Sequence, residues 1–216
     1  SEYICTMPIE TLYELFQKYP QVETDTRHLK PGCIFFALRG ENFNGNQFAK
    51  KALEAGAAAA IIDDANSYVD ERTIRVENTL TTLQQLAKFH RQQFNIPFIA
   101  ITGSNGKTTS KELVNTVLAS TFRTYTTQGN LNNHIGIPLT LLRVQKDAEI
   151  AVIEMGANHQ QEIAGYCTYA LPTHGIITNC GKAHLEGFGG VEGVRKGKGE
   201  LYDFIRANHG TIFLNQ

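Results

Sequence analysis

Between residues 97 and 214 short apolar runs alternate with longer amphipathic ones, and this rhythm restricts the fold more than any other feature of the sequence. The runs at 97–101, 123–127, 149–154, 174–178 and 211–214 have the length and composition of buried strands. Those at 107–120, 159–167 and 191–207 have helical spacing. The alternation implies an α/β fold with a mostly parallel sheet flanked by helices on both faces. In such sheets ligands collect beyond the carboxyl ends of the strands, so polar residues that close a strand become candidates for chemistry.

The earlier residues follow a looser pattern. Ile9, Leu12, Tyr13, Leu15, Phe16 and Tyr19 share a helical face that Pro20 closes. Cys33 to Leu38 is an apolar run between Pro31-Gly32 and Gly40, which suits a buried strand. A short helix over 46–56, stopped by Gly56, and strands over 57–62 and 73–76 follow. From Thr79 a helix carrying Leu80, Leu83, Leu86, Ala87 and Phe94 is expected to bridge two domains, 1–80 and 81–216.

A formal net charge of -1 provides no global field for a polyanion, so nucleic acid is not an expected partner and any phosphate site must be local. Cys5, Cys33, Cys167 and Cys180 are scattered without a C-x-x-C pair, which reads as free thiols in a reducing, cytoplasmic setting. No apolar run approaches the ~18 residues that would span a bilayer, so membrane insertion is not expected.

The sharpest motif is AITGSNGKTT, residues 100–109. The usual phosphate-binding loop is G-x-x-x-x-G-K-[ST], but here only Ser104 and Asn105 separate Gly103 from Gly106-Lys107. The loop nevertheless joins a strand to a helix, where backbone N–H groups and the helix dipole favour an anion. Gly103 and Gly106 let the main chain approach phosphate, Lys107 would reach the β- and γ-phosphates, and the Thr108 hydroxyl would ligate Mg²⁺. The apolar run IAVIE closes on Glu154, a carboxylate at a strand end that can hold Mg²⁺ directly or through water. The next strand closes on Asn179, followed by Lys182 and His184. The stretch TTQGNLNNHIGIP could bind phosphate or carboxylate through its amides, or could simply be a turn.

Five stretches, TGSNGKTT, TQGNLNNHIGIPLTLL, IEMGAN, TNCGKAHLEGFG and KGKGE, occur in the order that characterises the Mur ligases, and the chain resembles that family over nearly its whole length. The two-residue spacing after Gly103 is the family's own. The likeness is greatest to the members that join D-alanyl-D-alanine to UDP-N-acetylmuramoyl-tripeptide. Residues 24–57 resemble the family's uridine-nucleotide domain, with Asp25-Thr26-Arg27 where Asp-Ser-Arg is usual.

The resemblance implies a small N-terminal α/β domain for the UDP part of the substrate, followed by a P-loop ATPase domain. It implies that Gly103, Ser104, Asn105, Gly106, Lys107, Thr108 and Thr109 cradle ATP. Thr108, Glu154, His184 and Lys198 would belong to the Mg²⁺ sites, with Lys107, His184 and Lys198 catalytic and Lys198 matching a lysine carbamylated in several members. Thr26, Arg27, Asn42, Gly45 and Asn46, with Asn130, Asn132 and Asn133, would bind substrate. It further implies a bacterial cytoplasmic enzyme of cell-wall synthesis. Family members carry a third domain, so the chain is expected to be a fragment without ligase activity alone, and a sheet cut short would favour self-association. A folylpolyglutamate-type ligase and a non-catalytic nucleotide-binding fragment are the competing readings. A GTPase is disfavoured, because Asn179 is followed by Cys180-Gly181-Lys182 rather than the guanine-reading N-K-x-D.

Overall fold

The structure, a computed structural model, describes residues 7–181 and 185–214. The chain divides into two compact units, one ending at His90 and the other starting at Arg91.

In the first unit, helix α1 (Ile9–Lys18) turns Leu12, Tyr13 and Phe16 inward. Strands β1 (Val22–Glu23) and β2 (Ile34–Phe36) are followed by an antiparallel pair, β3 (Arg39–Gly40) and β4 (Phe43–Asn44). Helix α2 (Ala49–Glu54), β5 (Ala59–Ile62), β6 (Thr73–Arg75) and α3 (Thr79–Arg91) complete it. The main sheet is wholly parallel in the order β1-β2-β5-β6. All residues of β2 and β5 are buried, which explains why both read as continuous apolar runs rather than alternating ones. One face packs Phe35, Ala60 and Ile62 against Ala49, Ala52 and Leu53 of α2.

The first compact unit takes in α3 as far as His90, and the helix is tied to that unit at both ends. The Thr79 hydroxyl lies 3.0 Å from Ala37 O and from Asp63 Oδ2. Near the other end, His90 Nδ1 lies 3.1 Å from the Tyr13 hydroxyl, and its ring meets Phe16 edge-on.

The second unit runs β7 (Phe98–Thr102), α4 (Lys107–Ala119), β8 (Thr124–Thr126), α5 (Gly136–Arg143), β9 (Ile150–Glu154), α6 (Glu162–Ala170), β10 (His174–Ile177), α7 (Leu185–Phe188), α8 (Val191–Ala207) and β11 (Thr211–Phe213). Its sheet is parallel throughout, in the order β11-β10-β7-β9-β8. The chain leaves β7 towards one edge, reaching β8 and β9, and then crosses to the other side for β10 and β11. That reversal opens a crevice at the carboxyl end of β7, the place where doubly wound sheets bind ligands. No helix among the described residues is long and apolar enough to cross a membrane.

Arg91, nearly buried, opens this unit. Its guanidinium donates to Ala170 O (3.0 Å), Leu171 O (2.8 Å) and Phe94 O (3.0 Å) and lies 3.7 Å from the centre of the Phe98 ring. It therefore supplies donors to carbonyls at the end of α6. Burial lowers its pKa to about 10. A lysine cannot reproduce this planar fork, so Arg91→Lys is expected to cost about 2 kcal/mol, read as a lower urea midpoint.

Candidate functional site

The turn after β7 is shaped by two glycines with positive φ, Gly103 (+146°) and Gly106 (+75°). A Cβ on Gly103 would fall 1.9 Å from Thr178 Oγ1, so the position excludes any side chain. Helix α4 starts at Lys107 with no side-chain cap, which leaves the positive end of a thirteen-residue helix available to an anion.

This short loop is laced to the chain that leaves β10. The Asn179 side chain accepts from Asn105 N (3.1 Å) and donates to Asn105 O (3.0 Å), pairing with that peptide as a neighbouring strand would. Thr178 Oγ1 adds a bond to Asn105 O (2.7 Å), Ser104 N donates to Asn179 O (3.0 Å), and Ser104 Oγ donates to Gly181 O (3.2 Å). Lys107 is half-buried and turns back on the loop, donating to Gly103 O (2.8 Å) and Ser104 O (3.2 Å). Burial pushes its pKa down, and the Glu154 carboxylate partly offsets this.

Glu154 ends β9 at 1% exposure. Thr108 Oγ1 lies 3.1 and 3.0 Å from its two carboxylate oxygens, and Asn132 Nδ2 donates to Oε1 at 2.8 Å. The Glu154 N–H donates to Thr127 Oγ1 at 2.9 Å. Strand end and helix start therefore present a carboxylate and a hydroxyl side by side, a hard-oxygen donor set of the kind Mg²⁺ takes beside phosphate and water oxygens. Among the described residues, no group of three or more His, Cys, Asp or Glu forms a metal cluster.

The three asparagines of the following loop part company. Asn132 reaches the carboxylate, whereas Asn133 Oδ1 accepts from Ile135 N (3.1 Å) and Gly136 N (2.8 Å) at the start of α5. Asn130 is exposed, and Thr109 is exposed on the first turn of α4.

Lys198, at 1% exposure on α8, donates to Ala157 O at 3.2 Å and stands 4.9 Å from the centre of the Phe188 ring. Burial first, then the nearby charge of Lys107, lowers its pKa to about 8. Gly197 permits this packing, since a Cβ there would meet the Phe188 ring at 2.4 Å. Glu200, which the motif reading left without a role, accepts from Gln161 N (2.7 Å) and Ala164 N (2.9 Å) around the start of α6. Lys182 and His184 lie outside the described residues.

In the first unit, the sequence-derived positions follow adjacent strands β1 and β2 and so share one sheet edge. Thr26 and Arg27 lie in a 3₁₀ turn begun by Asp25, whose carboxylate the Arg27 guanidinium holds at a pKa of about 2. The Arg27 side chain is 81% exposed. Asn42 lies between β3 and β4. Gly45 is buried, and a Cβ there would fall 2.5 Å from Leu38 O.

Asn46 is buried and fully engaged. It donates to Asn44 Oδ1 and Asp63 Oδ1, both at 2.8 Å, and accepts from Asp63 N at 2.9 Å. Asp63 is a hub that sequence reasoning missed, although it closes the apolar run of β5 as Glu154 closes β9. It also accepts from Arg39 Nε (2.6 Å) and from Thr79 N (3.1 Å). Burial pushes its pKa up, but the bonds from Thr79, Arg39 and Asn46 together outweigh burial and hold it below the usual value.

A central parallel strand, a glycine loop opening a helix, a lysine folded over that loop and a carboxylate at the next strand end are the parts of a P-loop nucleotide-binding protein. Comparison with known proteins narrows this. Residues 101–216 match the family model for the Mur ligase middle domain, and residues 18–91 match that of the Mur ligase family catalytic domain. The chain belongs to the Mur ligase family.

It is 44% identical over 194 residues to the UDP-N-acetylmuramoyl-tripeptide–D-alanyl-D-alanine ligase of Escherichia coli (strain K12), covering 90% of this chain and 42% of that protein. The ligase of the same name from Bacillus subtilis (strain 168) is 41% identical over 195 residues, covering 89% of this chain and 43% of that protein. The crystal structure of MurF from Acinetobacter baumannii superposes with a TM-score of 0.82 at 36% identity, over 91% of this chain and 46% of that one. The MurF ligase of Thermotoga maritima in complex with ADP superposes with a TM-score of 0.80 at 33% identity, over 88% of this chain and 44% of that one. The chain thus spans less than half the length of these relatives.

Two outcomes follow from the site geometry. Asn179→Ala removes the pairing with Asn105, and hydrogen exchange at the Asn105 amide is expected to accelerate about tenfold, the value of one ordinary hydrogen bond. Because Asp63 has a depressed native pKa, its contribution to stability is present above the unfolded value of about 4 and is lost as pH falls through the native value. The stability gap between wild type and Asp63→Asn should therefore be constant from about pH 5 to 7 and shrink below about pH 4, as thermal melts at each pH would show.

Proposed function

We propose that the second unit binds ATP with Mg²⁺ in its glycine loop, and that the first unit binds the uridine-nucleotide part of a UDP-N-acetylmuramoyl-tripeptide. The whole enzyme would then join D-alanyl-D-alanine to that tripeptide with consumption of ATP. The observation that carries this reading is the convergence of Lys107, Thr108 and Glu154 at the reversal point of a parallel sheet. The names of the relatives support the substrate assignment, and the relative solved in complex with ADP supports the nucleotide.

In this reading, the amides from Gly103 to Thr109 surround the phosphates, and Lys107 exchanges its two loop carbonyls for β- and γ-phosphate oxygens. Thr108 and Glu154 would hold Mg²⁺, and by the family resemblance His184 and Lys198 would complete the metal sites. When bound, such an ion would supply charge neutralisation at the phosphates. Asn132 orients the Glu154 carboxylate.

The terminal carboxylate of the tripeptide attacks the γ-phosphorus, breaking the bond to the β–γ bridging oxygen and releasing ADP. The amine of the dipeptide then attacks the acyl phosphate carbon, forming the amide and expelling phosphate with loss of a proton. Two anions must meet in the first step, so fixed positive charge from Lys107 is the chief demand on the protein. Burial lowers the Lys198 pKa to about 8, so part of it is neutral near neutral pH, and that amine would add CO₂ and lose a proton to give a carbamate oxygen able to ligate a metal.

On the first unit, half-buried Thr26, exposed Arg27 and the loop at Asn42 meet the nucleotide, while Gly45 and Asn46 shape that loop from beneath. Asn130 and Asn133 flank the peptide end.

Calorimetry of the chain with ATP and Mg²⁺ tests this directly. Lys107→Ala is expected to weaken ATP binding at least tenfold, about 1.4 kcal/mol, without altering the melting temperature by more than a few degrees. Equal affinity in variant and wild type would remove the basis of the reading.

A further inference from the structure

Lys111 sits one turn beyond Lys107 on α4 and is 0% exposed, a state lysine almost never adopts unless paired. Its Nζ donates to Thr127 O at 2.7 Å and lies 2.7 Å from Glu112 Oε1. Glu112 is largely exposed, so the bond that enters the interior is the one to Thr127.

Thr127 is itself fully buried, immediately after β8. Its N–H donates to Val152 O at 3.1 Å, and its hydroxyl accepts the Glu154 N–H at 2.9 Å. The Glu154 carboxylate accepts from Thr108, which is three residues before Lys111 on the same helix. Lys111, Thr127, Glu154 and Thr108 therefore close a circuit from α4 through the ends of β8 and β9 and back to α4. Thr127 is also the root of the loop from which Asn132 reaches Glu154.

We propose that Lys111 is a positioning residue for the divalent cation that accompanies the nucleotide. Its ammonium fixes the Thr127 carbonyl, and Thr127 in turn sets where the Glu154 carboxylate stands opposite the Thr108 hydroxyl. The inference rests on the nucleotide reading above and adds to it a residue too deep to touch any ligand. The charge matters because an ammonium–carbonyl bond is shorter and stronger than a neutral one. Burying that ammonium carries a desolvation cost that an apolar replacement of similar length avoids, and this offsets much of what is lost when the Thr127 carbonyl gives up its donor. Stability and cation-dependent binding should thus come apart, which a purely structural lysine would not allow.

The experiment is calorimetric titration of the chain with ATP, once with Mg²⁺ and once with EDTA, alongside thermal melts. Lys111→Met is expected to melt within a few degrees of wild type and to bind ATP in EDTA as wild type does. It should lose at least tenfold of the affinity that Mg²⁺ adds. Thr127→Val cuts the same circuit without altering Lys111 and should reproduce the deficit, whereas Thr127→Ser, which keeps the hydroxyl, should restore the Mg²⁺ response. Should Lys111→Met fail to fold, Lys111→Gln takes its place in the same titrations with the same loss expected, since a shorter neutral amide does not supply the ammonium bond to the Thr127 carbonyl.

A wild-type Mg²⁺ increment in folded Lys111→Met or in Thr127→Val overturns the proposal. A wild-type chain with no Mg²⁺-dependent ATP binding overturns the nucleotide reading itself, and this proposal with it, and the wild-type titration alone reveals that case.

Discussion

Burying the Glu154 carboxylate obliges the surrounding protein to replace the water it gives up. The replacements come from separate segments: Thr108 from α4, Asn132 from the loop after β8, and Thr127 at the backbone of Glu154 itself. Each of these is then held by its own neighbours. Gly156 N donates to Asn132 O at 2.8 Å, and a Cβ at Gly156 would press to 2.9 Å on the Asn132 side chain. The glycine of the IEMGAN stretch is thus explained by the close approach of that asparagine. One carboxylate organises the carboxyl edge of the sheet.

The glycine loop meets a different constraint, since with two residues between its glycines it has few internal bonds to keep it in shape. Its support comes from β10. Thr178 occupies the space that a Gly103 side chain would need, and Asn179 treats Asn105 as a strand partner. The parallel register that places Ile177 beside Thr102 brings these residues to the loop. Sheet order and loop spacing are therefore one requirement seen at two scales.

Much of this was legible in the residues, because strand–turn–helix alternation and strand-end polarity are local signals. The strands, α4 and the roles open to Lys107 and Glu154 follow from them. Helix α5 signals only its start, through Pro138 in its first turn, because nearly every one of its residues is buried and no polar stripe marks a helical period. That α3 packs with the first compact unit as far as His90 depends on bonds to Tyr13 and to Ala37, over 77 and 42 residues of sequence, which no local pattern carries. Asn132 and Asn133 are the same residue type side by side, and only the path of the chain decides which reaches the carboxylate and which caps α5. Asp63 is the instructive miss, because the strand-end rule that singled out Glu154 applies equally to the end of β5.

The contacts that Lys107 makes with Gly103 and Ser104 bear on the energetics of ligand capture. A side chain with four rotatable bonds is already confined against its own loop, so its conformational entropy is surrendered when the unit folds rather than when a phosphate arrives. Capture then becomes a swap of carbonyl oxygens for phosphate oxygens at a nearly fixed ammonium, and the free energy of that encounter goes mainly into affinity.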